Sequence, residues 1–293
     1  MNSFSNIKGL YKKNFSLSKL NWFQTGGKAE TLFIPQDLED LKLFLQNIKN
    51  IPINIIGGGS NILIRDGGIK GVVIKLGKGF DYINFENKHI LCGASVKNIN
   101  LSTRLSKMGI KGYEFLSTIP GTIGGSIFMN AGCFGKEIKN LIKSVIVINK
   151  KGKIIELEKN SISFSYRSSG ISKNYFIIAA RLIIKKGKKK VIKNQIKKFS
   201  ILRKKTQPIK TLTGGSTFIN PIKNKAWKLI KKSGCENMIE GGAKISYKHS
   251  NFLVNTGNAT SKDLETLGNK IKLKVYKKTG VRLKWEIKRI GLK

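Results

Sequence analysis

Ile53-Asn54-Ile55-Ile56-Gly57-Gly58-Gly59-Ser60-Asn61-Ile62-Leu63-Ile64 places two short apolar runs on either side of a turn holding three glycines. Each run is too short for a helix and has the β-branched content of a buried strand. Glycines in the turn allow a ligand to approach the backbone closely, and successive N–H groups can then form a nest for phosphate. The stretch is not a P-loop, since no Gly-Lys-Ser/Thr follows, and Ile62 stands where the last glycine of a G-x-G-x-x-G fingerprint belongs. Read alone, a strand-linking turn without a ligand accounts for it as well as a phosphate cradle does.

Upstream, Leu38, Leu41, Leu45 and Ile48 recur at helical spacing after Pro35 and Asp37, which predicts an amphipathic helix over 37–49 behind a short strand at 31–34. Downstream, short strands continue at 72–76 and 82–83, separated by tight turns such as Asp66-Gly67-Gly68. A helix over 96–108, ended by Gly109, leads into a second glycine cluster, Pro120-Gly121-Thr122-Ile123-Gly124-Gly125-Ser126, which runs on to Asn130-Ala131-Gly132. A flat or charged ligand could lie against such bare backbone; a tightly packed helix start is the competing reading. Two clusters of this kind suggest one extended ligand.

Strands at 145–148, 154–157, 164–167 and 176–183 come in a run without βαβα alternation, so the chain reads as α+β and not as a Rossmann fold. A helix over 191–203 closes a first domain, 1–205, itself divided near 78. Residues 206–293 form a second domain with helices over 225–232 and 263–278. In the longer helix Leu264, Leu267, Ile271 and Val275 share one face, Thr260 and Asp263 fit a capping box, and Gly280 fits a C-terminal cap. A last strand over 281–287 alternates, with Val281, Leu283, Trp285 and Ile287 on one side.

The 56 basic and 16 acidic residues give a net charge of +40. Only seven of the bases are arginines, and the 49 lysines are spread along the whole chain beside abundant Ile and Asn. Nucleic-acid readers concentrate arginine and stacking aromatics on one element. Lys, Ile and Asn share AT-rich codons, so the excess reads as genome bias and no nucleic-acid partner is expected. Cys92, Cys133 and Cys235 form no C-x-x-C pair, and His89 and His249 lie far apart, so no metal is expected and the thiols fit a reducing compartment. No apolar core of signal-peptide length opens the chain, and the most apolar stretch, 175–184, falls well short of the roughly 20 residues a bilayer span needs. A cytoplasmic chain with no membrane partner is expected.

Three positions could carry chemistry. In Ser165-Tyr166-Arg167-Ser168-Ser169, strand alternation would put Arg167 opposite Phe164 and Tyr166, where its planar fork could reach a carboxylate; a surface salt bridge explains it equally well. Gly214-Gly215-Ser216-Thr217-Phe218-Ile219-Asn220-Pro221 could present Ser216 at a turn. It carries no G-x-S-x-G elbow, and the only histidine downstream of it is His249, which argues against a hydrolase triad. Glu286 is one acid among bases on the last strand, where a cross-strand ion pair is the plain reading.

Taken in order, these segments together with Asn21-Trp22-Phe23, Gly26-Gly27-Lys28-Ala29, Met129 to Gly132, Ser246 with His249, Asn251-Phe252, and Gly280 to Glu286 closely resemble the UDP-N-acetylenolpyruvoylglucosamine reductases, or UDP-N-acetylmuramate dehydrogenases, of bacterial peptidoglycan synthesis. The resemblance spans nearly the whole chain and is closest to the form lacking an extra tyrosine-bearing loop. It implies an FAD-binding module of the p-cresol methylhydroxylase and vanillyl-alcohol oxidase type followed by a smaller α+β substrate-binding domain. It also implies non-covalent FAD, with NADPH as reductant and UDP-N-acetylglucosamine enolpyruvate as substrate, in a chain expected to work as a monomer. By the same resemblance Gly57, Gly58, Gly59, Ser60, Asn61, Pro120, Gly121, Thr122, Gly124, Gly125, Asn130 and Gly132 hold the flavin, and Tyr166 and Asn220 meet the substrate. Ser216 matches the proton donor, while Arg167 and Glu286 match residues that stabilise an enol-like intermediate. A different flavin oxidoreductase of the same fold is the nearest rival.

Overall fold

The computed structural model describes residues 7–48 and 50–293. In chain order, β1 (Leu10–Ser16) and β2 (Lys28–Ile34) precede helix α1 (Leu38–Asn47), whose first turn is capped by the Asp37 carboxylate accepting from Asp40 N at 2.9 Å. Five strands follow: β3 (Ile53–Ile56), β4 (Ile62–Ile64), β5 (Ile69–Lys75), β6 (Ile83–Phe85) and β7 (His89–Gly93). Helices α2 (Asn98–Lys107) and α3 (Ile123–Phe128) separate these from β8 (Gly132–Cys133), β9 (Lys136–Glu137), β10 (Ile142–Asn149), β11 (Ile154–Glu158) and β12 (Tyr175–Ile183). Helices α4 (Lys189–Thr206) and α5 (Ala226–Lys232) lead to β13 (Ile239–Glu240), β14 (Ala243–Ser246), β15 (His249–Asn255), α6 (Ser261–Thr279) and β16 (Lys288–Ile290).

Contacts divide the chain otherwise than the sequential expectation of 1–205 and 206–293. One unit takes the segment through Lys12 with Leu32–Gly58 and Val72–Arg203; the other takes Lys13–Thr31, Gly59–Gly71 and Lys204–Lys293. The chain passes from one unit to the other inside β1, β2 and β5.

In the first unit, a five-stranded antiparallel sheet of order β11-β10-β12-β7-β6 carries the largest core. Ile90, Val145, Val147, Ala180 and Leu182 pack there with Leu101 and Leu105 of α2 and Ile123 and Ile127 of α3. A second cluster sets Phe33, Leu41, Phe44 and Leu45 against Val72 and Ile74, with Phe33 and Phe44 stacked at 4.1 Å.

In the second unit, α6 lays Leu264, Leu267, Ile271 and Val275, all fully buried, against Leu229 and Ile230 of α5 and Ile245 and Leu253 of the β13-β14-β15 sheet. Each such side chain contributes about 1.5–3 kcal/mol by leaving water. The Thr260–Asp263 capping box forms, and Gly280 closes the helix at φ 69°. Gly268 sits in the middle of α6, where glycine costs stability; a Cβ there would lie 2.3 Å from the Trp285 ring, so the indole occupies the space that glycine leaves.

Two predicted strands are corrected. Residues 164–167 are no strand: Ser165 and Ser168 pair in an isolated bridge and exchange backbone hydrogen bonds of 2.8 and 3.2 Å around a two-residue turn. Residues 281–287 keep the alternation, with Leu283 and Ile287 buried, yet they meet residues 217–219 in one isolated bridge, Phe218–Trp285, flanked by bonds from Ile219 N to Lys284 O at 2.9 Å and from Glu286 N to Thr217 O at 2.8 Å, and the regular ladder starts at β16, parallel to β4.

Candidate active site

In the first unit the two glycine clusters meet. β3 runs parallel to β5 with Ile56 level with Lys75, so Gly57 and Gly58 emerge at the end of that pair. A Cβ on Gly58 would lie 2.6 Å from Gly121 Cα, so the two backbones touch there. Gly124 and Gly132 also have packing reasons, since a Cβ on them would lie 2.9 Å from Ala94 Cβ and 2.3 Å from the Lys136 carbonyl.

Gly125 differs, because a Cβ there would meet nothing closer than Thr122 Oγ1 at 3.7 Å. On Gly57 a Cβ would come within 2.9 Å of Thr122 Oγ1 and otherwise no nearer than 3.7 Å to Gly125. Gly57 and Gly125 thus lie on either side of Thr122 Oγ1, and at Gly125 internal packing does not demand glycine, which leaves bare backbone of the kind a dinucleotide lying against it requires.

The Pro120–Ser126 loop is held by Asn98, a fully buried residue that sequence reasoning missed. Its side-chain amide donates to Ile119 O at 3.2 Å and Ser126 Oγ at 2.8 Å, and its backbone N–H to Gly121 O at 3.1 Å. Nothing local marks an asparagine at the start of a helix as the anchor of a loop some 20 residues on; the signal is in the pairing.

Asn130, assigned to the cofactor from the sequence, is fully buried at φ 42° with its side chain committed to protein. Nδ2 donates to Ser165 O at 2.8 Å and Oδ1 accepts from Lys139 N at 3.3 Å. The first bond, with Ser169 N donating to Phe128 O at 3.2 Å, fixes the turn that carries Tyr166 and Arg167. Arg167 takes φ 62°, and its guanidinium lies 4.8 Å from the Tyr166 ring centre, while Tyr166 is 47% exposed. The alternation expected to separate the two side chains is replaced by a turn on which they stack.

Gly59, Ser60 and Asn61 belong by contact to the second unit. Trp22 N donates to Gly59 O at 3.0 Å, Lys288 N to Asn61 O at 3.0 Å, and Asn61 Nδ2 to Glu286 O at 3.4 Å. Next to this turn lies Gly215 at φ 82°, where a Cβ would be 3.9 Å from Ser60 O.

Ser216 and Glu286, 70 residues apart in sequence, are brought together here. Ser216 bridges Phe252, Thr217 N donates to Asn251 O at 2.8 Å, and Glu286 N donates to Thr217 O at 2.8 Å. The Asn251 amide clamps both sides of Phe218, accepting from its N at 3.0 Å and donating to its O at 2.8 Å. Both Ser216 and Glu286 are half-buried. The pairing thus joins the backbones that carry a hydroxyl at Ser216 and a carboxyl at Glu286 one residue out of step. Asn220 Oδ1 accepts from Ala226 N at 2.9 Å and so caps α5.

Two family models match the chain: one described as FAD binding domain over residues 29–158, and one described as UDP-N-acetylenolpyruvoylglucosamine reductase, C-terminal domain, over 207–290. UDP-N-acetylenolpyruvoylglucosamine reductases of Rickettsia massiliae (strain Mtu5) and Rickettsia prowazekii (strain Madrid E) are each 48% identical over 286 residues, covering 97% of either chain. The crystal structure of the UDP-N-acetylenolpyruvylglucosamine reductase of Thermus caldophilus matches with a TM-score of 0.84 at 27% identity, covering 97% of this chain and 99% of that one.

Proposed function

The chain belongs to the UDP-N-acetylenolpyruvoylglucosamine reductase family, and on that premise we propose that it reduces UDP-N-acetylglucosamine enolpyruvate to UDP-N-acetylmuramate with NADPH, through non-covalent FAD. Bound FAD supplies the relay that takes hydride from NADPH and delivers it to the enolpyruvyl double bond. The first unit holds the flavin along Gly57, Thr122 and Gly125, and the second serves the sugar nucleotide. The chain acts as a cytoplasmic monomer.

The observation that supports this reading is the hydrogen bond from Glu286 N to Thr217 O, which ties the backbone at Glu286 to the segment that carries Ser216. Hydride addition at the terminal carbon builds negative charge toward the carboxylate. A guanidinium fixed on a tight turn, as Arg167 is, stabilises that charge as it develops. Ser216 then gives its proton to the carbon next to the carboxylate, a task that rests on position more than on acidity because a hydroxyl is a weak acid. Glu286 offers a polar contact to the enol oxygen, and the one proton that the carbon gains comes from Ser216. Tyr166 and Asn220 contact the substrate.

The Ser216→Ala variant tests the assignment by separating the half-reactions in anaerobic stopped flow. NADPH should still bleach the flavin at the wild-type rate, while reoxidation by the enolpyruvyl substrate slows by roughly 10²–10⁴-fold. Equal loss of both half-reactions would remove Ser216 from the proton-transfer step.

A further inference from the structure

Lys75 is a residue that neither the motifs nor the proposed chemistry uses. It ends β5 level with Ile56, half-buried, and its ammonium donates to the Gly57 carbonyl at 3.2 Å. An ammonium has three N–H donors, so this bond leaves two unspent. No carboxylate pairs with Lys75 among the described residues. Its charged neighbour is instead a second cation, Lys97, whose backbone bridges Thr122.

Keeping an ammonium half-buried beside a like charge without a carboxylate is costly, and the fold would be relieved by an anion from outside. Burial first, and Lys97 second, push Lys75 below the usual lysine range, as expected of a cation waiting for a counter-charge. The Gly57 carbonyl that Lys75 holds belongs to the bare patch formed with Thr122 and Gly125.

We propose that the Lys75 ammonium is the counter-charge for the diphosphate of the flavin dinucleotide, held at the edge of the Gly57–Thr122–Gly125 patch. This rests on the FAD reading above. Lys75 is a positioning residue: it touches no reacting atom, fixes the turn through the Gly57 carbonyl, and offers its two remaining N–H groups to phosphate oxygens.

The test is FAD binding by apoprotein, followed by flavin fluorescence over a salt series, for wild type, Lys75→Gln and Lys75→Arg, with riboflavin as a phosphate-free comparator. Lys75→Gln should weaken FAD by roughly 10- to 100-fold at low salt. Its FAD affinity should also depend less on salt than that of wild type, and riboflavin binding should be unchanged. Lys75→Arg, which keeps the charge, should recover most of the loss and serves as the informative variant should Lys75→Gln fold poorly in a thermal melt.

Wild-type FAD affinity in Lys75→Gln would overturn the proposal, as would equal losses for FAD and riboflavin, which would leave Lys75 only a turn-holding role. Loss of affinity for UDP or NADPH by the Lys75→Gln holoenzyme, with FAD binding intact, would assign the charge to another diphosphate and also overturn it. Failure of wild-type apoprotein to bind FAD at all would instead sink the flavin reading beneath it.

Discussion

Arg167 holds a backbone conformation that arginine seldom takes. At φ 62° it costs on the order of 1–3 kcal/mol, and it persists because the Ser165–Ser168 exchange and the Asn130 amide over-determine the turn. In a chain with 49 lysines, an arginine kept at a strained position points to the planar guanidinium itself. Arg167→Lys should therefore retain bound flavin and its reduction by NADPH while kcat/KM for the enolpyruvyl substrate falls by roughly 10²–10³-fold. Steady-state kinetics with wild-type values for that variant would leave Arg167 a surface residue. Its candidacy was legible from scarcity and from the Tyr166-Arg167-Ser168 motif. The turn was not, because Phe164 to Arg167 alternates like a strand and nothing in a residue's name gives the sign of φ.

Helix α6 and the segment 281–287 form one device that places Glu286. Trp285 fits over Gly268, packs tilted against Phe218 with ring centres 5.2 Å apart and takes the Arg289 guanidinium at 4.6 Å from its ring, so the backbone entering Glu286 is fixed. Gly268→Ala should clash with the indole and lower stability by about 1–3 kcal/mol in spite of a better helix propensity. Substrate-driven flavin reoxidation should slow with it; a thermal melt at or above wild type would show that the indole yields freely.

The same helix is clamped by Glu265, which accepts from Arg65 Nε at 2.8 Å, Arg65 Nη2 at 2.9 Å and Arg289 Nη1 at 2.7 Å. The Arg65 hydrogen bonds, aided by both arginine charges, hold its carboxyl below the usual range against the opposing effect of burial. A carboxylate with a depressed folded-state pKa stabilises fully above its unfolded value of about 4.3 and loses that contribution as pH falls through the folded one. Glu265→Gln should thus melt lower than wild type near neutrality, and the gap should close as pH falls below the unfolded value of about 4.3 and on through the depressed folded one. A gap independent of pH would mean that charge plays no part.

The local features of this region, the 3.6-residue period of α6 and its caps, were readable from the sequence because each depends on residues within a few positions. The pairing of 216–218 with 251–253 and 285–286 was not, since the hydrogen bonds are mainly between backbones and could be made by many side chains.

Across the whole molecule, chain order and contact order differ. The boundary expected between residues 205 and 206 falls close to the contact division at Arg203 and Lys204, but the return of Lys13–Thr31 and Gly59–Gly71 to the second unit was not legible. Those short segments look like ordinary strand-and-turn sequence, and only long-range partners such as Asp66, which accepts from Ser261 N at 3.0 Å and Lys262 N at 2.8 Å, assign them. With 16 acids for 56 bases, most lysines have no carboxylate to meet, and the net charge is a diffuse positive field that weakens with salt. Among the described residues no helix is long and apolar enough to cross a membrane.

Reduction of the enolpyruvyl ether by bound flavin is tested most directly in single turnover. The flavin of the purified holoenzyme is reduced anaerobically, UDP-N-acetylglucosamine enolpyruvate is added, and flavin absorbance and product are followed together. Stoichiometric return of oxidised flavin with formation of the lactyl ether of UDP-N-acetylmuramate is the predicted result. A flavin that stays reduced in the presence of excess substrate would contradict it.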